Sequence, residues 1–197
     1  MTVSGMGFDI ALRRLAVERD EAAWAAVLTG VGDAMARLTQ RITGDAASGD
    51  DAVQEALLLI RDHAGQFRGV GEAAARGWIM RVTASAALQL RRRAGRRHTH
   101  ERAAMAAAAL ENGPTAQLER QETAALIRRE LAELPEKHRL PLALHYLSEL
   151  ELPRVAAALG WPLGTVKTRL HRGLAQLRIR LARVGVALSV AALIAHL

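Results

Sequence analysis

Cysteine is absent from this 197-residue chain, which excludes disulfides and thiolate metal sites and leaves nothing to indicate an oxidising compartment. Aromatic residues make up only 3% of the chain, and runs of β-branched residues are also missing. Strands are enriched in those two residue classes, whereas the alanine, leucine and arginine that dominate here favour helices. The composition therefore predicts an all-α protein of one or two domains.

A long hydrophobic run is missing as well. The longest uncharged apolar stretch, residues 185–197, is shorter than the about 20 residues that span a bilayer core. Residues 1–10 do not combine a basic segment with an apolar one, so they do not resemble a signal peptide. We expect a soluble, cytoplasmic protein. Its apolar tail either folds back onto the preceding unit, which is the favoured alternative, or begins a membrane or partner contact.

The positive charge of the chain, formally +7, is unevenly distributed. The net charge is −4 over residues 1–62, +6 over 63–112, −1 over 113–135 and +6 over 136–197. Two basic blocks separated by acidic ones predict two surfaces for a polyanion rather than one basic tail.

Helical periodicity recurs along most of the chain. Small and polar residues at 44–50 interrupt it, and Asp50 or Asp51 is expected to cap the helix that follows, over about 51–62. A longer helix is predicted over about 72–93. Its expected buried stripe consists of Ile79, Val82, Ala86 and Leu90. Further helices are predicted over 122–133, 140–148, 151–159 and 165–182.

Residues 98–120 are expected to link two helical domains. Five arginines and two histidines fall within residues 91–100, which cannot form a core, and Asn112-Gly113-Pro114 ends any helix before it. The predicted domains are therefore 1–97 and 121–184, with residues 185–197 as a tail. A metal site at His98, His100, His138 or His145 is not expected, because arginines surround the first two and no cysteine is available.

The segment 152–177 has the spacing of a helix-turn-helix. Ala156, Gly160 and Val166 occupy the helix crossing, the turn and the start of the second helix. The second helix has an apolar stripe of Val166, Leu170, Leu174 and Leu177. Its opposite face carries Lys167, Thr168, His171 and Arg172. Such a face can enter the major groove, where lysine and arginine meet guanine edges or phosphates. An ordinary helical hairpin with a solvated cationic face is the alternative.

Two sets of motifs resemble bacterial sigma factors, most closely the extracytoplasmic-function class of the sigma-70 family. Residues 131–181, which contain "GTVKTRLHR", resemble region 4, the C-terminal domain of these factors. "GDDAVQEALLLIRD", "FRG", "GWIMRV" and the following arginine run resemble region 2. The resemblance covers about residues 10–183 and implies two small helical domains joined by a flexible linker.

The resemblance also implies roles for individual residues. The positions that read the −35 element correspond to Thr165, Lys167, Thr168, His171 and Arg172. The helix that docks on the β′ clamp of RNA polymerase carries Asp51, Gln54 and Glu55. The loop that captures a flipped −10 base contains Phe67, Arg68 and Gly69. The helix along the opened strand carries Trp78, Arg81, Ser85, Gln89, Arg91, Arg92 and Arg93. The implied partners are core RNA polymerase (β′ clamp helices and β flap), promoter DNA and an anti-sigma factor, with no cofactor.

Several of these positions have other interpretations. Trp78 is equally well explained as a core residue or as a stacking platform. Asp51 and Glu55 alone would be a solvated helix face. Ser85 and Gln89 replace an asparagine and an aspartate usual in the family, so the −10 base preference does not follow from the resemblance.

The function predicted from the sequence is transcription initiation: binding core polymerase and directing it to promoters. A stand-alone dimeric helix-turn-helix regulator is the alternative. An enzyme acting on nucleic acid is a third class, but the sequence shows no carboxylate cluster, phosphate loop or nucleophile arrangement that would support it.

Overall fold

The computed structural model describes residues 7–17, 20–105 and 116–195. Within these ranges the regular structure is helical, as predicted. The helices are α1 (Phe8–Val17), α2 (Glu21–Thr43), α3 (Ala46–His63), α4 (Glu72–Met105), α5 (Ala116–Ala132), α6 (Glu136–Leu142), α7 (Leu152–Leu159), α8 (Leu163–Arg183) and α9 (Val190–Ala195). A 3₁₀ turn at Ala64–Gln66 follows α3, and a wide π-type turn at Ala143–Leu147 follows α6.

Helices α1 to α4 form the first unit, in which α2, α3 and α4 pack against one another and α1 contacts all three. Asp20 caps α2, because its Oδ1 accepts hydrogen bonds from the backbone N–H groups of Ala22 (2.9 Å) and Ala23 (3.3 Å). Apolar side chains from all four helices fill the core. The largest fully buried ones here are Leu12, Met35, Leu38, Ile42, Ile60, Ile79 and Leu88.

The start of α3 differs from the sequence prediction. The helix begins at Ala46 and its cap is Asp45, whose Oδ1 accepts a hydrogen bond from the Ser48 N–H at 2.8 Å. The prediction that Asp50 or Asp51 caps this helix was wrong. Gly49 lies inside the helix and is buried, and a Cβ there would come within 2.8 Å of the Gln40 side chain of α2. The glycine therefore permits close helix packing and does not break the helix.

Helices α5 to α8 form the second unit. Helix α8 packs against α5, α6 and α7. Val166 and Leu177 are fully buried and Leu174 nearly so, whereas Leu170 is half-buried. The predicted apolar stripe of this helix therefore lies in the core, which leaves the opposite face free.

The two units pack against each other, since α4 contacts α5, α6 and α7. Buried side chains of both units belong to one continuous hydrophobic cluster. Helix α4 extends to Met105 and α5 begins at Ala116, so both helices enter the segment expected to be a linker. Residues 106–115 of that segment lie outside the described residues.

The apolar tail turns back onto the end of α8. Gly185 has a left-handed backbone (φ 86°), and the Val186 N–H donates to the carbonyl oxygen of Leu181 at 2.9 Å. Helix α9 follows and contacts α8, with Leu193 fully buried. In the described parts of the chain, no helix combines the length and hydropathy needed to cross a bilayer.

Candidate nucleic-acid and polymerase interfaces

A tight turn joins α7 to α8 at Gly160, Trp161 and Pro162. Gly160 has φ 65°, a left-handed conformation in which glycine carries no Cβ penalty. The Trp161 N–H donates to the carbonyl oxygen of Ala156 at 3.0 Å, and the Val166 N–H to that of Pro162 at 3.1 Å. These bonds fix the angle between two short helices, so the geometry is that of a helix-turn-helix.

The second helix of this motif, α8, presents four predicted DNA-binding side chains to solvent. Lys167, Thr168, His171 and Arg172 are all exposed, and Thr165 at the start of the helix is half-buried. The Thr168 hydroxyl donates to the Gly164 carbonyl oxygen at 2.9 Å, which leaves its oxygen able to accept. The structure thus brings all five residues together on the first three turns of one helix.

A sixth residue on α8, Arg169, was missed by the sequence reasoning. Its guanidinium carbon lies 4.0 Å from the centroid of the Trp161 ring, a cation–π distance. The stack joins the turn to α8. This contact could have been considered from the sequence, because Trp161 lies in the predicted turn and Arg169 follows it by eight positions on the next helix.

Two of the four histidines at which no metal site was expected contact backbone carbonyl oxygens. Nδ1 of His138 lies 3.1 Å from the carbonyl oxygen of Arg169, and Nδ1 of His145 lies 2.8 Å from that of Leu150. The side chains of His98 and His100 lie outside the described residues. Among the described residues, no group of three or more histidines and carboxylates could hold a metal ion.

The predicted polymerase-binding residues lie on one face of α3. Asp51 and Gln54 are exposed and Glu55 is half-buried. Leu58, one turn further on, is 47% exposed, so the acidic face continues into an apolar one. Ala52, Ala56 and Ile60 face the core of the first unit. Acidic side chains beside an exposed leucine form a surface suited to a protein partner better than to DNA, because carboxylates repel phosphates.

The loop between α3 and α4 contains the predicted base-capturing residues. Phe67 is half-buried, and its ring lies 6.1 Å from the Trp78 ring at 60°. Arg68 is exposed, and its guanidinium donates to the carbonyl oxygen of Gly65. A Cβ at Gly69 would lie 2.6 Å from the Phe67 ring and 2.9 Å from the Ala74 Cβ, so a larger residue there would force these neighbours to move. Trp78 is 7% exposed and therefore belongs to the core in this arrangement.

The predicted strand-binding residues of α4 fall into different environments. Gln89 and Arg93 are exposed, whereas Arg81 and Ser85 are half-buried. Arg92 forms an ion pair with Glu133 of the second unit, with Nε 3.4 Å from Oε2.

Arg91 is held between the two units. Its Nη1 donates to the Thr43 carbonyl oxygen and its Nη2 to that of Ala125, both at 3.0 Å. Burial lowers the pKa of Arg91, and the charge of Arg128 lowers it further, while Asp45 opposes the shift. Burial likewise lowers the pKa of Arg128, again opposed by Asp45. One carboxylate therefore offsets two partly desolvated cations.

Comparison with known proteins supports this two-part architecture. Residues 30–97 match the family model for Sigma-70 region 2, and residues 124–177 match the model for Sigma-70, region 4. The solved structure of CnrH, in complex with the cytosolic domain of CnrY, covers 89% of this chain and 97% of that one. Its TM-score is 0.50 at 20% identity, which shows a shared fold.

Relatives of known name cover most of the chain. The ECF RNA polymerase sigma factor SigL of Mycobacterium tuberculosis (strain ATCC 25618 / H37Rv) is 33% identical over 155 residues, which are 76% of this chain and 84% of that protein. SigM of the same strain, also an ECF RNA polymerase sigma factor, is 35% identical over 150 residues, covering 76% and 69%. With both regions matched in order and similarity along most of its length, this chain belongs to the ECF sigma factors of the sigma-70 family.

Proposed function

We propose that this sigma factor reads the −35 element of its promoters with the exposed face of α8. The observation that carries the proposal is the exposure of Lys167, Thr168, His171 and Arg172 together, opposite a stripe buried in the second unit. Lysine and arginine supply donors for guanine edges and phosphates, and threonine suits either base edges or thymine methyl groups. Thr165 is half-buried at the start of the helix. We assign it to a contact with the DNA backbone that positions α8.

The acidic face of α3 is the proposed docking site for core RNA polymerase. Asp51, Gln54 and Glu55 lie in the segment of net charge −4, where a phosphate backbone would be repelled. The exposed Leu58 beside them adds the apolar area that a protein interface needs. The family resemblance assigns this face to the β′ clamp helices and the second unit to the β flap.

The −10 element is assigned to the α3–α4 loop and one side of α4. Phe67, Arg68 and Gly69 would receive a flipped base, and Trp78, which is buried beside the Phe67 ring, would become a stacking surface only after the loop moved. The remaining contacts to the opened strand are assigned to Arg81, Ser85, Gln89 and the run Arg91–Arg93.

The chain itself is proposed to catalyse no reaction, because its contribution is binding energy used to select and open DNA. We place it in the cytoplasm with the polymerase. An anti-sigma factor is proposed as a regulatory partner on the strength of the family resemblance. A stand-alone dimeric regulator is disfavoured, because such a protein has no use for the region 2 match at residues 30–97.

Run-off transcription with core polymerase on a genomic promoter library tests the whole proposal. Core polymerase with the chain should produce discrete transcripts that core alone does not, and their start sites should share two upstream elements. Transcripts that do not depend on the chain would contradict it. Duplex binding without core at an inverted repeat would instead support the dimeric regulator.

A further inference from the structure

The last two turns of α8 carry an apolar strip between two arginines. By helical spacing, Ile179 and Ala182 lie next to each other on this part of the helix, with Arg178 on one side of them and Arg183 on the other. All four side chains are exposed, and Ile179 is 55% exposed. The opposite side of the same turns contains Leu181, which is fully buried. The helix therefore presents to solvent a face that is apolar in the middle and basic at both edges.

The chain that follows α8 extends this face. Val184, at the end of the helix, is 44% exposed. The returning tail then forms an open groove of about 370 Å³ with the helix, and four of the six lining residues are apolar. The lining residues are Arg178, Ile179, Ala182, Ala187, Leu188 and Ser189. Because the first three also belong to the strip, the strip, Val184 and the groove form one continuous surface, here called the tail surface.

The charges near the tail surface are of one sign. Residues 152–197 contain seven lysines and arginines and no aspartate or glutamate. Arg180 is neutralised by Glu130 of α5, since its Nη2 lies 2.9 Å from Oε2. Arg178 and Arg183 form no ion pair with any residue in the described ranges. Two cations without a counter-charge beside exposed apolar side chains favour a partner that is both anionic and apolar.

An anionic membrane surface has both properties. Its phosphate head groups lie directly over the acyl chains, so an arginine can reach a phosphate while its aliphatic stem and a neighbouring isoleucine enter the acyl boundary. DNA offers phosphates but no apolar layer. A protein partner is specified by hydrogen bonds as well as by apolar area, and the side chains of Ile179 and Ala182 offer none. A bilayer requires none from the middle of the strip.

We propose that the tail surface binds the surface of an anionic membrane. Arg178 and Arg183 contact lipid phosphates, and Ile179 and Val184 reach the acyl boundary. Leu193 stays buried, so the tail remains packed on α8 and shapes the surface without inserting as a free anchor. Neither signal is sufficient alone, because stable attachment at an interface combines apolar insertion with a basic patch. The proposal uses neither the DNA contacts nor the polymerase contacts assigned above.

Sedimentation of the full chain with lipid vesicles tests the proposal. The probes are vesicles of phosphatidylglycerol and phosphatidylcholine in equal parts, called mixed vesicles, and vesicles of phosphatidylcholine alone. The wild type should sediment with the mixed vesicles, remain in solution with phosphatidylcholine, and bind more weakly as salt is raised.

Charge variants test the arginines. Arg178→Gln/Arg183→Gln should weaken binding to mixed vesicles by about fivefold per arginine, the usual contribution of one basic residue near an anionic surface. Arg13→Gln/Arg37→Gln removes two exposed arginines of the first unit and is the matched control. It should bind mixed vesicles like the wild type.

The apolar part of the surface has its own pair of variants. Ile179→Ser should weaken binding to mixed vesicles by about tenfold, because it removes most of the apolar side chain that enters the acyl boundary. Ile10→Ser is the matched control, since Ile10 is 49% exposed on α1, and it should bind like the wild type. Both isoleucines are exposed, so both variants should fold, which circular dichroism and thermal unfolding verify.

Three results would overturn the proposal. The first is a wild type that stays in solution with mixed vesicles. The second is an equal loss of binding in Ile179→Ser and Ile10→Ser, which would mean that any exposed apolar side chain has this effect. The third is an arginine double variant that keeps its vesicle binding but loses affinity for duplex DNA, since the arginines would then belong to the DNA-binding face. The vesicle assay contains neither DNA nor polymerase, so a failure of promoter-dependent transcription would count against the proposed function alone.

Discussion

Arg169 of α8 stacks on Trp161 of the preceding turn, with 4.0 Å between the guanidinium carbon and the ring centroid. Cation–π pairs contribute about 0.5–2 kcal/mol, depending on desolvation. Trp161→Leu keeps apolar bulk but removes the π face, so we expect a loss of free energy of unfolding within that range and weaker −35 binding. Denaturant titration and promoter binding with core polymerase measure the two effects.

Trp161→Phe is the matched control, because it keeps a smaller aromatic face under Arg169. It should fall between the wild type and Trp161→Leu in both measurements. If the leucine and phenylalanine variants behave alike, the cation–π contact contributes nothing and only the apolar volume matters.

Lys167 is predicted to contribute to sequence preference at −35. Lys167→Ala should cost about 1–3 kcal/mol in binding to the preferred promoter and relax the preference at one position. Arg178→Ala removes one exposed positive charge from the same helix, three turns further on, and should leave the preference intact. Competition between promoter libraries in the presence of core polymerase gives both quantities. An unchanged base preference for Lys167→Ala would contradict the assignment.

The acidic face of α3 is predicted to bind polymerase. The double variant Asp51→Lys/Glu55→Lys should weaken binding to core, because it reverses two charges at the proposed interface, while −35 duplex binding stays unchanged. Asp33→Lys reverses an exposed charge on a different helix, α2, and is the control. Fluorescence titration with core polymerase measures the affinity, and a double variant that binds core as tightly as Asp33→Lys does would refute the interface.

Asp45 is predicted to stabilise the fold in a pH-dependent way. The Ser48 backbone N–H holds the pKa of Asp45 below its ordinary value, helped by the Ser48 hydroxyl and the charges of Arg91 and Arg128, against a small effect of burial. A carboxyl whose pKa is lower in the folded state stabilises the protein above its unfolded pKa. That stabilisation is lost as the pH falls from about 4 through the folded pKa.

Asp45→Ala should therefore cost about 1 kcal/mol at pH 7, the usual effect of losing a helix cap. The difference from wild type should shrink when unfolding is measured near pH 3. Asp45→Asn, which can still cap the helix but carries no charge, should cost less at pH 7. A difference that does not change with pH would mean that the carboxylate charge has no part in it.

The tail is predicted to contribute to stability through Leu193. This side chain is fully buried, whereas its neighbour Ile194 is 38% exposed. Leu193→Ala should cost about 2 kcal/mol or more, as buried leucine truncations do, and Ile194→Ala about 0.5 kcal/mol or less. Thermal unfolding compares them with a chain lacking residues 185–197. If the deletion leaves stability unchanged but abolishes liposome binding, the tail is an anchor instead.

The sequence predicted the helix-turn-helix well, because its determinants are local. Gly160 ends α7 at the expected position, and Val166 and Leu177 are buried as their spacing required. The start of α3 was predicted wrongly, because Gly49 has the same appearance in a sequence whether it breaks a helix or permits close packing. The contact with Gln40 that decides between them lies in another helix.

The sequence could not predict the packing of the two units. The stripe predicted for α4 is only partly buried. Ile79 and Ala86 are buried, but Val82 and Leu90 are half-exposed. Ala84 and Leu88 form a second buried face because another unit lies on it. Alanine is compatible with either environment, so periodicity alone did not reveal two buried sides. The arginine run indicated that this helix is positively charged. It did not indicate that Arg91 donates hydrogen bonds to carbonyl oxygens of both units.

The wide turn at Ala143–Leu147 provides a main-chain acceptor for the contact between the units. At its end the Ser148 N–H donates to the carbonyl oxygen of Ala143, and the Leu150 N–H donates to that of Leu144. The Leu147 carbonyl oxygen accepts a hydrogen bond from Arg41 of the first unit. Ala125 offers Arg91 a main-chain acceptor as well. No side-chain substitution removes a carbonyl, so these contacts are encoded by arginines on one partner only. The second unit could therefore change at Leu147 or Ala125 without losing these hydrogen bonds, whereas the ion pairs of Arg41 with Glu149 and of Arg92 with Glu133 need side chains from both units.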